Sequence, residues 1–522
     1  MSNGTFEIKP YSQSKDNKNK PFININYTNQ DFWSLKTKLV EFIRERFGEN
    51  GTVLPNTFND FVESSIAIML IENWAFLADT LSFKMDQIVN ELFIDTVTET
   101  ENAFRLAKLV GFQPTPPIAS RSFWTATINA PLVTDLIIST PIIIPLPSQT
   151  EFNSRIELFP VNSNNEPLFN EDIIIPAGQT INKTIIGVEG ISVNQESTGT
   201  GEVAQTVELS QYPVLYDSIR VEVDGNIWDR VDYFTDSQPR MEYRVEFNSS
   251  YQGFIMFGNN RAGMIPSSGS RINIYYRVGG GPIGNIVTGA IEFQQQVTVP
   301  GLDYSVPITY RNYTKGEFGY SGDNIEQVRR KLPKWIKTQN RAVSGEDYKT
   351  LAEQFVTPYY GKIGKAKSSL RNHGCSGNII DLYVLANDNG ELINVNDSLK
   401  SALIEELDNK KMMTDYICIK NGSIIKIDTL IDLTLDRANR KYEKEIRENV
   451  ERIVDNFYDL NDWEFGTILK DTNLIKHLSS IKEIKNFNIT FVTEQGDSNT
   501  LIVPNYYEII RPDTTNISFL YE

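Results

Sequence analysis

Cysteine is nearly absent from this chain, with Cys375 and Cys418 alone among 522 residues. A disulfide framework is thereby excluded, nothing points to an oxidising compartment, and synthesis in a cytosol is the expectation. Histidine is as scarce, limited to His373 and His477. Zinc sites draw on paired ligands at short spacing, which are missing, and a Cys–His dyad has only His373-x-Cys375 to use, so all four residues are read as structural. Positive charge is also lacking: 50 Lys plus Arg stand against 67 Asp plus Glu, a formal charge of −17. That balance argues against general affinity for nucleic acid or anionic lipid. Long apolar runs are missing too. The run Ile66 to Ile71 is bounded by Glu63 and Glu72, and the polar N-terminus has no signal-peptide core, so no membrane partner is expected.

What is present changes in texture along the chain. Residues 1–24 are polar, carry Lys15, Lys18 and Lys20, and are expected to form a flexible arm. Residues 25–115 read as a helical bundle segment. Thr28-x-x-Asp31 has the form of a capping box before Phe32, Leu35, Leu39, Phe42 and Ile43, which end at Gly48 and Gly51. Thr57-x-x-Asp60 repeats that signal, and Thr98-x-x-Glu101 is expected to cap a helix that closes at Gly111 and Pro114. Between them Leu70, Trp74, Leu77, Leu81, Met85, Ile88 and Leu92 alternate steps of three and four and fall on one helical stripe. Ile66, Met69, Phe76 and Phe83 add a second apolar face, so a single partner helix would not cover this element. We read the first stripe as a partner interface in a helix bundle, and Glu63, Glu72, Asp79 and Asp86 as a solvated face.

From Gln113 prolines forbid long helices and short β-rich runs take over. Residues 116–215 are expected to form one β domain, and 216–322 a second with glycine-rich hairpins, each an antiparallel sandwich or small barrel. Asp224-Gly225 supplies a hairpin turn. Residues 323–522 read as a helical linker and a C-terminal α+β domain, in which Pro333 is expected to kink or break a helix and Ser344-x-x-Asp347 to cap another. The whole is a multidomain α+β chain.

Candidate chemistry is sparse. Gly279-Gly280-Gly281-Pro282-Ile283-Gly284 satisfies a dinucleotide-binding string, but Pro282 and the β-branched run after Asn285 deny the helix that such a loop must open. Gly258, Gly263, Gly280, Gly281, Gly284 and Asn285 are assigned to hairpin geometry, where positive φ disfavours side chains. Asp388-Asn389-Gly390 lacks the acidic ligands of an EF-hand loop. No carboxylate pair for glycoside hydrolysis stands out. Catalytic residues, metal ligands and cofactors are therefore not assigned. Arg329, Arg330, Lys331, Lys334, Lys337 and Arg341 open a basic stretch that reaches Arg371, read as a solvated face or a docking patch for an acidic protein.

Three stretches carry a resemblance: 27–114, with YTNQDFWSLKTKLVEF and NAFRLAKLVGFQP; 254–286, with FIMFGNNRAGMIPSSGSRINIYYRVGGGPIGNI; and RAVSGEDYKTLA at 341–352. Together they resemble the baseplate wedge proteins of contractile-tailed bacteriophages, within the wider baseplate J-like family. The second departs from that family's commoner acidic turn at Asn259 and Asn260, and the third has Ser344 in a threonine place. The stretch 462–489 is also similar, while 118–215 carries no recognisable motif. The resemblance implies a structural, non-enzymatic virion protein of the tail baseplate, assembled in the host cytoplasm. Its implied partners are a second copy of itself within a wedge, copies in neighbouring wedges, a larger helical wedge protein and a sheath-initiating baseplate protein. It further implies a six-fold ring around the tail tube and a part in triggering sheath contraction. The alternatives are a host-binding tail adhesin, for which no internal repeat is found, and a tail-associated cell-wall hydrolase.

Overall fold

The structure is a computed structural model that describes residues 28, 31–47, 62, 65–129, 132, 134–146, 155–234, 238–298, 305–372, 378–388, 390–481, 483–494 and 496–521. The expected arm of 1–24, the Thr57-x-x-Asp60 box, Gly48, Gly51, Glu63, His373, Cys375 and Asn389 lie outside the described residues. The chain forms two compact units, 1–113 with 324–330, and 114–323 with 331–522.

The first unit holds α1 (Phe32–Phe47), α2 (Ile66–Asn90) and α3 (Thr100–Leu109). Two capping expectations are corrected here. The Ser34 amide donates to Asp31 Oδ1 at 2.8 Å and the Asp31 amide to Ser34 Oγ at 3.1 Å, so the α1 box begins at Asp31. Thr28 instead donates from its amide and its hydroxyl to the Asp86 carboxylate on α2, each at 3.0 Å. At α3 the N-cap is Glu99, without a side-chain cap, and the donors leading into the helix turn to Glu91, just past α2. Its carboxylate accepts the amides of Thr98 at 2.9 Å and Glu99 at 3.2 Å, the Thr98 hydroxyl, and Asn102 Nδ2 at 3.0 Å. Both misreadings share a cause: a spacing rule sees only local partners, whereas a carboxylate from another element can take the same donors. Although burial opposes the charge, those hydrogen bonds hold the Glu91 carboxyl below its ordinary range.

In the second unit, one six-stranded sheet runs in the order Glu292–Thr298, Ser305–Asn312, Arg121–Ile128, Ile181–Glu189, Arg155–Pro160, Ile142–Pro145. A seven-stranded sheet takes all its strands from 191–278. The two sheets therefore draw on both sides of residue 215: the seven-stranded one is nested in sequence between Glu189 and Glu292, and the six-stranded one closes only when 292–312 returns. Arg277 ties them together. Its guanidinium lies 2.6 Å from Glu157 of the first sheet, both side chains are buried, and the rings of Phe159 and Phe169 stand 5.4 Å away. The Asp224-Gly225 turn forms as read, with φ of 49° and 82° between strands that pair Val223 with Asn226.

Helix α4 (Ile325–Thr338) runs through Pro333 without a break, so of the two expected outcomes, a kink or a break, the break does not occur. Proline removes one hydrogen bond, and the burial of Val328 and Leu332 outweighs that loss. α5 (Gly345–Gln354) carries the expected Ser344–Asp347 capping box. It and α6 (Asp397–Asp408) cover one face of a five-stranded sheet, closing a core that includes Tyr348, Leu351, Leu382, Val384, Leu399 and Leu403. α7 (Glu443–Phe457) and α8 (Asp471–Leu478) pack likewise on a four-stranded sheet whose longest strands, Ser423–Leu435 and Glu508–Tyr521, run parallel. Mixed α+β architecture, mainly antiparallel, is thus what the structure shows.

Candidate functional site: an apolar helix face and a closed glycine loop

Helix α2 is apolar nearly all round, and its own unit buries little of it. Only Ile68, Ile71, Ala75 and Asn90 are buried. Leu70, Trp74, Leu77, Leu81, Met85 and Ile88 are all exposed, Trp74 to 65%, as are Ile66, Met69, Phe76 and Phe83 on the neighbouring face. Leu92 is exposed as well, but it lies two residues beyond the helix end rather than within the stripe. Helix α1 and the residue Thr28 before it both bond α2: Lys36 Nζ lies 2.6 Å from Glu72 Oε1, and Asp86 accepts the Thr28 amide. Glu72 and Asp86 are thus half-buried ties between segments, not a purely solvated face. Among the described residues, α2 is also long and apolar enough to cross a membrane by length and composition. The expectation that no such segment exists is corrected in that respect, because an unbroken-run criterion stops at each of its four charges.

The glycine loop is closed by the protein itself. The Glu189 carboxylate, with no exposure to solvent, accepts the Gly280 amide at 2.9 Å and the Gly281 amide at 3.1 Å. The amides that a nucleotide phosphate would need are therefore occupied. The loop is a crossover between the two sheets rather than a hairpin, passing through a 3-10 turn at Pro282–Gly284. Gly263 and Gly281 have positive φ; Gly258 and Gly284 are needed for space, since a Cβ at Gly258 would lie 2.3 Å from the Gly263 backbone and one at Gly284 2.6 Å from Glu189 Cβ. A Cβ at Gly280 meets the end of the Ile283 side chain, and Asn285 Oδ1 accepts the Gly319 amide at 3.1 Å.

The basic stretch separates into bonded and open cations. Arg329 bonds Glu326 at 2.7 Å and the Val97 carbonyl. Lys331 lies 2.6 Å from the buried Asp323, and Lys334 3.5 Å from Glu353. Arg330, Lys337 and Arg341 are exposed, with Arg341 donating to Gln339 at 3.1 Å. Asp323 was not visible from sequence, nor was Glu189, because their partners are distant in the chain. Asp323 also accepts the Thr115 amide at 3.0 Å and the Tyr320 hydroxyl at 2.6 Å. Burial opposes its charge, yet Lys331 and these bonds hold its carboxyl below the ordinary value. Elsewhere His477 packs on the Phe457 ring, 5.6 Å between centroids. A cavity of about 740 Å³ is lined by Phe169, Tyr216, Asp217, Tyr275, Arg277 and Tyr359 among others. Burial pushes Tyr216 and Tyr359 up to about 12, so both remain neutral.

Residues 31–109, which contain this helix, match the family model described as the N-terminal domain of bacteriophage baseplate protein. No curated protein matches the sequence. Among solved structures, the chain is similar to one in the six-fold symmetrised anti-feeding prophage baseplate, at 9% identity, TM-score 0.35, over 97% of this chain and 96% of that one. It is also similar to a chain of the type VI secretion system TssK-TssF-TssG baseplate subcomplex, at 9% identity, TM-score 0.27, over 68% of this chain and 96% of that one. Over residues 31–109, then, the chain is similar to the N-terminal domain of bacteriophage baseplate proteins.

Proposed function

We propose that this chain is a structural subunit of a baseplate wedge, one that joins neighbouring wedges into a six-fold ring around the tail tube and helps to trigger sheath contraction. The observation that carries this reading is the exposed apolar face of α2, which a lone chain leaves in water and a bundle of helices would bury. Its partners are a second copy within the wedge, copies in neighbouring wedges, a larger helical wedge protein and a sheath-initiating protein. Assembly takes place in the host cytoplasm, without an enzymatic step. The exposed cations Lys337 and Arg341 serve as a docking patch for acidic neighbours.

Light scattering of the purified chain, alone and co-expressed with its neighbouring tail proteins, tests this. The expected result is a small or dimeric lone chain that forms a complex with two copies per larger partner, lost on Leu81→Glu with Trp74→Glu. A stable trimer indifferent to those partners would overturn the reading in favour of an adhesin.

A further inference from the structure

The cavity of about 740 Å³ beside Arg277 lies within the second unit, on one face of the seven-stranded sheet. Side chains alternate along a strand. In Arg271–Val278 the buried Ile272, Ile274 and Tyr276 share one face, so Tyr275 and Arg277 turn to the other. The register sets Asn194 and Arg220 directly opposite Tyr275 on its two neighbouring strands, and Ser192 opposite Arg277. Directly opposed residues stand about 5 Å apart at Cβ, so Asn194, Tyr275 and Arg220 form one row, a ring with a polar arm on each side. Glu222 follows two residues after Arg220 on the same face. The other walls include Phe169, Glu171, Tyr216 and Tyr359.

Two properties of these walls bear on what they hold. First, the aromatic part is fixed in place. Phe169 packs edge-on against Phe159, 4.8 Å between centroids, and lies 5.4 Å from the Arg277 guanidinium. That guanidinium is itself held, donating to Glu157 at 2.6 Å and to the Ser192 hydroxyl at 2.7 Å. A wall locked in this way needs no ordering when a ligand enters. Second, the polar groups are open. Among the described residues, no hydrogen bond or ion pair engages the side chains of Asn194, Arg220, Glu222, Tyr216, Tyr275 or Tyr359. The charges nearly cancel as well. Arg277 is paired with Glu157, and Asp217 with Arg230 at 3.2 Å, which leaves one lining cation, Arg220, with two carboxylates, Glu171 and Glu222.

We infer that this cavity binds a neutral saccharide. Its volume falls within the range of about 300–1,000 Å³ in which proteins hold small ligands. A sugar ring has apolar C–H faces and a rim of hydroxyls that both donate and accept. Tyr275 offers a surface for the face, while Arg220 donates to the rim, Glu222 accepts from it, and Asn194 and the tyrosine hydroxyls do both. A purely apolar ligand would strip water from these groups and give them no partner in return. An anion would meet Glu171 and Glu222, and a cation Arg220 and Arg277, so neither is favoured by charge. This site belongs to the second unit and does not depend on the wedge reading.

The test is saturation-transfer NMR on the full chain with maltotriose, mannotriose, chitotriose and globotriose, and with a heparin disaccharide and spermidine as charged controls. At least one of the neutral trisaccharides is expected to bind, with ring protons receiving saturation and an affinity that salt leaves unchanged. Tyr275→Ala and Arg220→Ala, both at exposed positions, should each weaken that binding about tenfold. Tyr416→Ala, at an exposed tyrosine of the five-stranded sheet, should leave it as in the parent. Circular dichroism melts of the three variants confirm that each is folded. Failure of every neutral trisaccharide to bind at millimolar concentration would overturn the proposal. So would binding that is indifferent to both Tyr275→Ala and Arg220→Ala, or tighter binding of the heparin disaccharide or of spermidine.

Discussion

The Glu189 carboxylate accepts the backbone amide of Gly280 at 2.9 Å across 91 residues of sequence. Burial pushes its pKa up to about 7, against the pull of the Gly280 and Gly281 amides and Arg277. An acid with a raised folded pKa favours the folded state least where both states are ionised. Between its ordinary value of 4.5 and about 7 the folded chain holds a proton that the unfolded chain has lost. The contribution of this group to stability therefore declines as pH rises across that window and stays low above it. Urea unfolding of Glu189→Gln and the parent at several pH values should show the parent losing stability relative to the variant across that window. The relative loss should be on the order of 3 kcal/mol or less.

Neighbouring glycines of the same loop should respond unequally to alanine. Gly281 has φ +72° and a Cβ there would lie 2.2 Å from the Tyr320 carbonyl oxygen, a backbone atom that cannot step aside. At Gly280 the nearest atom is the tip of the Ile283 side chain, 2.4 Å away, and φ is not positive. Gly281→Ala should lower the thermal midpoint clearly more than Gly280→Ala, by an extra 1–2 kcal/mol or so.

The ion pair of Asp323 with Lys331 makes a third case. Asp323→Ala should cost roughly 3–5 kcal/mol, because it leaves the lysine, the Thr115 amide and the Tyr320 hydroxyl without their acceptor. The pair Asp323→Leu with Lys331→Met should cost less than the two single changes summed, a coupling that denaturant titration of the four proteins measures. Since the Asp323 carboxyl is held low, its stabilisation is full above its ordinary value of 3.8 and is lost as pH falls through its lower folded value.

On α2, adjacent positions should behave oppositely. Ala75 is wholly buried and Trp74 largely exposed. Ala75→Leu should destabilise the isolated chain by about 1–3 kcal/mol, and Trp74→Ala by no more than about 0.5 kcal/mol. Circular dichroism melts separate them, and an equal loss for both would show that Trp74 packs within the chain.

Local features were legible from the residues alone. The Asp224-Gly225 turn and the Ser344–Asp347 box involve groups three residues apart or fewer, and both formed. The long helix was legible too, as an element with more apolar surface than one neighbour can cover. What escaped was set by distant competitors: Glu91 and Asp86 took the donors that spacing had assigned to local caps at Thr98 and Thr28. Buried packing carried α4 across Pro333, and the crossover nature of the glycine loop depended on a carboxylate from another strand. The candidate interface residues were found through their pattern, whereas Asp323 and Glu189 look like any acid until their partners are known.

The nesting of the seven-stranded sheet within the six-stranded one carries an order of events. As the chain leaves the ribosome, all of 191–278 is available to complete its own sheet before residues 292–312 exist. The earlier strands, 121–189, must wait with the edge of Arg121–Ile128 unpaired until Ser305–Asn312 arrives to close it. Synthesis order thus allows the inner module to form before the closing strands of the outer one exist, and until they do the edge of Arg121–Ile128 is open to mispairing.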